Sequence, residues 1–283
     1  EMMLPSVEFN HCIVKTWLNG KPCFLELTDN NLPFGCMPSN LFHATCLVIP
    51  SGKQEVSDAR LEWIEAPDRP KDKILRQTNV TIDGSDLRVS YDIVKTGARV
   101  SGMRDSYESL SPEKQKEEMQ KNMNGVFKNG LQLDSISFQG LHAGSDSVHY
   151  KYYGKAQNEV VEVGKIRMIK LPFTDGMSLD DFPTTERNYP VELWQYENVD
   201  EYEEKVTIHA PQGTKFTEVP QNEAYTFKSS RYSIQYIRVN PATLTVVQKA
   251  AHQRDDLAPA DYKGLRDFRS KVLKAQSKYV AFQ

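Results

Sequence analysis

Residues 11–27 read HCIVKTWLNGKPCFLEL, two short runs rich in β-branched and aromatic residues on either side of Asn19-Gly20. Asn-Gly is the strongest short-range signal for a hairpin with a two-residue turn. Such a turn pairs positions whose numbers sum to 39. Because opposed residues share a face, as do alternate residues along one strand, His11 and Glu26 are predicted to lie on the same face, one diagonal step apart.

A second register is possible for this hairpin. A three-residue loop would place Asp29 opposite His11 instead of leaving it on the other face. The tighter turn is favoured because Asn-Gly prefers it, so Glu26 is the predicted partner of His11. The same parity turns Cys12 and Cys23 away from His11, and a thiol nucleophile needs its sulfur within hydrogen-bond reach of its base.

The rest of the chain shows the same strand-forming pattern at many places. Leu87, Val89, Tyr91 and Ile93 alternate with polar residues, which is typical of a half-buried strand. Short strands separated by turns at this density predict a mainly β fold built of β-sandwich domains. Only a few helices are expected, over these stretches: one from Ser111-Pro112 through Met119, Met123, Val126 and Phe127 to Asn129-Gly130, and one starting near Pro259 with Tyr262, Leu265, Phe268, Arg269 and Val272 on one face.

Composition limits the function classes. The chain has 283 residues, 35 basic and 38 acidic side chains and a net charge of −3. It therefore has no basic surplus for binding nucleic acid. No stretch approaches the roughly 20 apolar residues that span a bilayer. Residues 1–6 lack the features of a signal peptide, and the abrupt start of the strand pattern suggests a chain cut from something longer.

The segment from Phe9 to Asp29, together with residues 32–35 (LPFG), resembles the second half of the bacterial transglutaminase-like core. The resemblance covers about the first 50 residues, and the remainder resembles, more loosely, the β-rich carboxy-terminal accessory region of such proteins. It implies that His11 is the general base and Glu26 its orienting carboxylate, a position at which most members have aspartate. It also implies a nucleophilic cysteine at the start of an upstream helix. Ten residues precede His11, too few for that helix, so the nucleophile is expected to be absent.

The resemblance sets the remaining expectations. Three units are predicted: a remnant of the transglutaminase-like core over 1–58, a β-rich domain with one helix over 59–186, and a β-sandwich with a C-terminal helix over 187–283. The parent enzyme is expected to attack amide bonds through a thioester, giving hydrolysis or transamidation. Its partners would be a protein or peptide substrate, peptidoglycan included, and the upstream catalytic segment. A secreted, periplasmic or cell-envelope location is implied.

Two other functions stay open. The chain could be a non-enzymatic binding module for glycan or protein, which an exposed aromatic strip including Trp17, Trp63 or Trp194 would favour. It could also be a hydrolase using Cys36 or Cys46, which hairpin parity does not exclude. No cofactor and no metal site is predicted, because His142 and His149 lack a third ligand and the acidic runs at 180–181 and 200–204 lack a calcium-loop pattern.

Overall fold

The computed structural model describes residues 11–42, 44–50, 58–123, 125–174, 178–195 and 199–283. Three α-helices lie in this part of the chain: α1 (Arg99–Tyr107), α2 (Pro112–Asn122) and α3 (Tyr262–Gln276). The strands of the described residues are, in chain order, β1 (Val14–Leu18), β2 (Lys21–Leu25), β3 (Thr45–Val48), β4 (Arg60–Trp63), β5 (Lys73–Asp83), β6 (Asp86–Thr96), β7 (Gln132–Gln139), β8 (Ser147–Ala156), β9 (Val161–Val163), β10 (Ile166–Lys170), β11 (Val191–Glu192), β12 (Glu201–His209), β13 (Phe216–Glu218), β14 (Glu223–Phe227), β15 (Ser230–Asn240), β16 (Thr243–Ala251), β17 (Asp256–Leu257) and β18 (Tyr279–Phe282). The predicted mainly β class, with few helices, is confirmed. None of the helices in the described ranges has the length and apolar character needed to cross a membrane.

One eight-stranded sheet dominates the molecule. Its order is β14-β15-β16-β12-β5-β6-β8-β7. Neighbouring strands in it are antiparallel except at its centre, where β12 runs parallel to β5. The hairpin between β5 and β6 turns at Gly84, which takes φ 63°. Gly84 and Ser85 are the two central residues of this turn, directly after Asp83, and glycine most easily supplies the positive φ at the first of them.

The core lies on one face of the large sheet. Alternate residues of the long central strands are buried, as in β5 and β6, while the intervening residues are mostly polar, and they are mainly exposed in β5 and half-buried in β6. A second layer covers the buried face. It consists of the three helices and part of a four-stranded sheet with the order β13-β18-β10-β9, and it contributes buried side chains to the same core: Val100, Met103, Tyr107, Met119, Met123, Ile169, Phe216, Phe268, Val272, Ala275, Val280 and Phe282.

The two predicted helices are present with changed limits. Ser111 caps α2, accepting a hydrogen bond from the Lys114 amide at 3.4 Å, but the helix ends at Asn122 rather than at residue 129. Gly125 follows that end with φ 102°, which interrupts a helix. In α3 all five residues predicted to form the packing face are buried. By contrast, α1 and β18 were not anticipated from the sequence.

The first part of the described chain forms a small unit of its own. Strands β1 and β2 form one hairpin and β3 and β4 another, and a separate apolar cluster lies beneath them. That cluster consists of Phe24, Met37, Leu41, Phe42 and Ile64.

The predicted domain limits can be placed on this topology. Strands β3 and β4 pair with each other from opposite sides of residue 58. Strands from 59–186 and from 187–283 share the eight-stranded sheet, because β5 and β12 pair along their lengths. Both limits therefore separate strands that are hydrogen-bonded to each other. The division into three domains stays a prediction.

Candidate active site

The hairpin that carries the predicted pair has the expected turn. Asn19 and Gly20 both have positive φ, 52° and 79°, as a two-residue turn matched to the strand twist requires. Val14 pairs with Leu25, and every pair from there to the turn has position numbers that sum to 39. The two-residue register is therefore confirmed over this ladder, and the three-residue alternative is not adopted.

His11 and Glu26 are in contact. Nε2 of the imidazole lies against Oε2 of the carboxylate. The His11 side chain keeps 34% of its surface exposed, whereas the Glu26 side chain keeps 1%. The imidazole is thus partly open to a partner while the carboxylate is enclosed, an arrangement suited to a base that is oriented by a carboxylate.

Glu26 is held in its charged form by its neighbours. Burial by itself raises the pKa of this carboxyl, but hydrogen bonds from Thr28 and His11 outweigh burial and lower the pKa below its usual value. Thr28 contributes twice, since its amide donates to Oε1 at 2.6 Å and its hydroxyl donates to the same oxygen at 2.5 Å. This role of Thr28 was not predicted. The sequence signal that could have indicated it is a residue with both an amide and a hydroxyl donor two positions after the carboxylate.

Asp29, the alternative partner of His11, is used elsewhere. Its Oδ1 accepts the Asn31 amide at 2.8 Å, and its Oδ2 accepts the Ser101 hydroxyl at 2.5 Å. Asp29 therefore closes a turn and attaches it to α1. The side chain that contacts the imidazole is Glu26.

The four cysteines are all free thiols. Cys12 is exposed and Cys23 is half-buried. Burial, together with the charges of Asp72 and Asp146, raises the pKa of the buried Cys36 thiol to about 12. Burial and the Glu62 carboxylate also raise the pKa of Cys46. A thiol reacts as its thiolate, so neither Cys36 nor Cys46 has the environment of an activated nucleophile.

A cluster of ion pairs joins the small unit to the large sheet. Both Nη atoms of Arg69 donate to Asp200, at 2.9 and 2.7 Å, and Nη1 of Arg254 donates to Asp72 at 2.5 Å. Both guanidinium groups also stack on the Phe42 ring, with centroid distances of 4.0 and 4.5 Å. A cavity of about 480 Å³ lies beside this cluster. Because the arginines are already paired with carboxylates, we interpret the cluster as a structural joint.

The other candidate ligands are dispersed. His149 contacts Asp92 at 2.5 Å, while His142 contacts the Ala143 carbonyl at 3.1 Å. Glu201, in one of the acidic runs, pairs with two lysines. In the part of the chain that the structure describes, no group of three or more His, Cys, Asp or Glu side chains could hold a metal ion.

Comparison with known proteins gives one result within the chain. Residues 166–282 match the family described as a Domain of Unknown Function with solved-structure structure (DUF3858). The matched segment is less than half of the chain. It begins with β10 and ends with β18, two strands that pair with each other. No curated protein matches the sequence. The DUF3858-like segment thus includes four strands of the large sheet and α3, whereas His11 and Glu26 lie outside it.

Proposed function

We propose that this chain is the carboxy-terminal accessory region of a transglutaminase-like thiol enzyme that acts on amide bonds, and that His11 and Glu26 are the base and the orienting carboxylate of its active site. The observation that carries the proposal is the contact between a partly exposed imidazole and an enclosed carboxylate whose pKa is lowered. In this proposal the nucleophilic thiol comes from a segment upstream of residue 1.

The pair would serve both halves of such a reaction. Because Glu26 contacts Nε2, we assign Nδ1 of His11 the task of accepting the thiol proton. The thiolate then attacks the amide carbonyl carbon, and the imidazolium returns the proton to the nitrogen as the C–N bond breaks, leaving a thioester. Water or an amine next attacks the thioester, losing its proton to His11 and releasing the thiol. The Glu26 charge stabilises the imidazolium in each half.

The outer face of the β1–β2 hairpin supports an upstream partner. Phe24 points into the small apolar cluster, so one face of the hairpin is already covered. On the opposite face Val14 and Leu18 are exposed, and so is Leu27 beyond the end of β2. Strands that are apolar on both faces are typical of sheets covered on both sides. This face is opposite to the one that carries His11 and Glu26, so we propose that a part of the upstream segment other than the nucleophile covers it.

Substrate and location follow from the same proposal. A protein or peptide, including the peptide part of peptidoglycan, is the proposed source of the amide. The accessory sheet would position that substrate or cover the site. A secreted, periplasmic or envelope location is proposed with it.

The test uses the protein extended upstream as its gene encodes it. Ammonia release from glutamine-containing peptides, and amine incorporation into them, should be detectable and should stop after alkylation. His11→Ala should reduce kcat by about 10²–10⁴-fold, since that is the usual contribution of a general base. His142→Ala, at an exposed histidine far along the chain, is the matched control and should leave kcat unchanged. Absence of any upstream cysteine, or full activity in His11→Ala, would contradict the proposal.

A second function is favoured by a different observation. Trp17 and Trp63 are 62% and 64% exposed, and both lie in the small unit rather than on the large sheet. Exposed aromatic rings are common in surfaces that bind sugars or peptides. If the chain is a binding module, Trp17→Ala or Trp63→Ala should weaken binding to peptidoglycan fragments at least 10-fold, whereas Tyr189→Ala, at an 80% exposed ring elsewhere, should not. Equal binding by all three variants would exclude this surface.

A further inference from the structure

Helix α1 presents three polar side chains to the turn that follows Glu26. They are Ser101, Arg104 and Asp105, whose spacing places them on one side of the helix. The residues of α1 that enter the main core, Val100, Met103 and Tyr107, are apolar. The helix therefore has a second, polar contact surface that core packing does not explain.

Each of the three side chains bonds to the turn at 29–31. The Ser101 hydroxyl donates to Oδ2 of Asp29 at 2.5 Å. Nη1 of Arg104 donates to the Asn31 carbonyl at 2.6 Å, and Nδ2 of Asn31 donates to Asp105 at 2.7 Å. One short turn thus accepts two hydrogen bonds from, and donates one to, a helix more than 70 residues later in the chain.

Arg104 also donates hydrogen bonds to a second segment of the chain. It is 2% exposed, and its Nη2 donates to the Ser145 carbonyl at 2.5 Å and to the Gly140 carbonyl at 3.4 Å. Residues 140 and 145 belong to the connection between β7 and β8 of the large sheet. Burying a guanidinium is costly unless its donors are bonded, and here backbone carbonyls from two segments accept from both Nη atoms, while the buried Nε has no partner among the described residues. The guanidinium therefore ties the turn to the large sheet.

The turn at 29–31 follows directly after Thr28, the residue that orients Glu26. Thr28 precedes Asp29 directly and donates two hydrogen bonds to the Glu26 carboxylate. A displacement of residues 29–31 would therefore move the amide and the hydroxyl that hold Glu26 against His11. The contacts form a continuous path from α1 through the turn and Thr28 to the imidazole.

We propose that α1 is a positioning element for the His11–Glu26 pair, with Ser101, Arg104 and Asp105 as positioning residues that hold the turn at 29–31. The catalytic meaning of this inference rests on the proposed function, whereas the structural link does not. Through this contact, the accessory sheet sets the geometry of the candidate active site.

The direct test reads the state of the His11 ring in the 283-residue chain. Imidazole ¹⁵N shifts, recorded at alkaline pH where the ring is neutral, report which nitrogen carries the proton. Contact with Glu26 holds the proton on Nε2, so the wild-type ring should be predominantly the Nε2–H tautomer. The double variant Ser101→Ala/Asp105→Ala should lower the ratio of the two tautomers at least twofold. Ser106→Ala, on the same helix with its hydroxyl bonded to the Gly102 carbonyl, is the control and should leave the ratio unchanged.

The same variants in the upstream-extended protein test the catalytic consequence. The double variant should lower kcat about 10-fold with KM within twofold, and Arg104→Lys should retain more activity than Arg104→Met. An unchanged tautomer ratio in a folded double variant would overturn the positioning role. A changed ratio without any amidase activity in the extended wild-type protein would instead keep the positioning role and reject the proposed function.

Discussion

At the scale of single residues, Glu26 is the most informative side chain. It is enclosed, yet its hydrogen bonds from Thr28 and His11 lower its pKa. A carboxyl whose folded-state pKa lies below the unfolded value stabilises the fold above the unfolded pKa, and this stabilisation is lost as the pH falls through the folded value. The unfolded value for glutamate is about 4.3.

We predict that Glu26→Gln lowers the free energy of unfolding by about 1.5–3 kcal/mol at pH 7, the range for hydrogen bonds to a charged group. The difference from wild type should shrink below about pH 4, where the wild-type carboxyl takes up its proton. Urea unfolding of both proteins at a series of pH values measures this difference in unfolding free energy. Glu203→Gln, at an exposed ion pair with Lys249, is the control and should change stability by less than about 1 kcal/mol. A pH-independent difference would contradict the prediction.

The cysteines allow a second prediction at this scale. With its pKa near 12, Cys36 should react with iodoacetamide at pH 7.5 at least about 10-fold more slowly than the exposed Cys12. Peptide mapping by mass spectrometry measures both rates in one sample. In urea the two rates should converge, because burial is the main cause of the raised pKa. Rapid labelling of Cys36 in the folded protein would revive it as a candidate nucleophile.

Among the elements, α1 depends on the glycine that precedes it. Gly97 has φ 72°, and a Cβ at this position would meet Oδ1 of Asp72 at 2.4 Å and the Lys71 carbonyl at 2.7 Å. The Ala98 amide at the start of α1 donates to that same Oδ1. The turn therefore needs glycine both for its backbone conformation and for its space.

We predict that Gly97→Ala lowers the free energy of unfolding by at least about 2 kcal/mol, because the added methyl forces a shift of backbone atoms in an already restricted conformation. Gly102→Ala, inside α1 with nothing within 4 Å of the added methyl, should instead stabilise by up to about 1 kcal/mol. Thermal and urea unfolding of the two variants measure the contrast. Equal changes in unfolding free energy for the two variants would show that the close approach at residue 97 does not affect stability.

The elements that the sequence predicts well are those with local signals. The first hairpin is specified by Asn19-Gly20, and its register places Glu26 beside His11 because side-chain direction alternates along a strand. Helix α1 has no such signal. Its buried side chains include Ser101 and Arg104, so it lacks a continuous apolar stripe, and its polar contacts are made with a turn far away in sequence. Its role at the site could not be read before the fold was known.

At the scale of the whole molecule, the cluster of ion pairs is the contact that joins the small unit to the large sheet. Asp72 is 2% exposed and accepts from Arg254 and from the Ala98 amide. Asp200 accepts from Arg69 and from the Asp72 amide, and although burial alone raises its pKa, these contacts lower it. The polar, proline-bearing stretch 66–73 is therefore built into the fold at this point.

We predict that Asp72→Ala costs about 3 kcal/mol of unfolding free energy, the low end of the range for a broken buried pair, because Arg254 loses its hydrogen-bonded carboxylate but keeps Asp200 at 3.6 Å. Amide hydrogen exchange should become faster in β1–β4 than in the central strands of the large sheet, since the small unit loses its attachment. Glu118→Ala, at an exposed pair with Lys121, is the control and should cost less than about 1 kcal/mol. Uniform exchange across the molecule would show that the joint does not hold the small unit separately.

The central pairing of β12 with β5 also could not be predicted from the sequence. Alternation predicts each strand, but it does not say which distant strand lies beside which. The two segments are joined in parallel, and a parallel partner requires a long crossover whose length is not encoded locally. The mainly β class was therefore predictable, whereas the single sheet shared by both halves was not.

That parallel pairing has a consequence during synthesis on the ribosome. The Asp72 amide and the Asp200 carboxylate beside it are 128 positions apart. At about 5–20 residues per second, β5 emerges roughly 6–26 seconds before its neighbour is made. Throughout that interval the edge of β5 that will later pair with β12 has unpaired backbone groups, which can bind to strands of other chains. Chaperones should therefore bind the nascent chain after β5 emerges. Slowing elongation between codons 83 and 201 should increase aggregation.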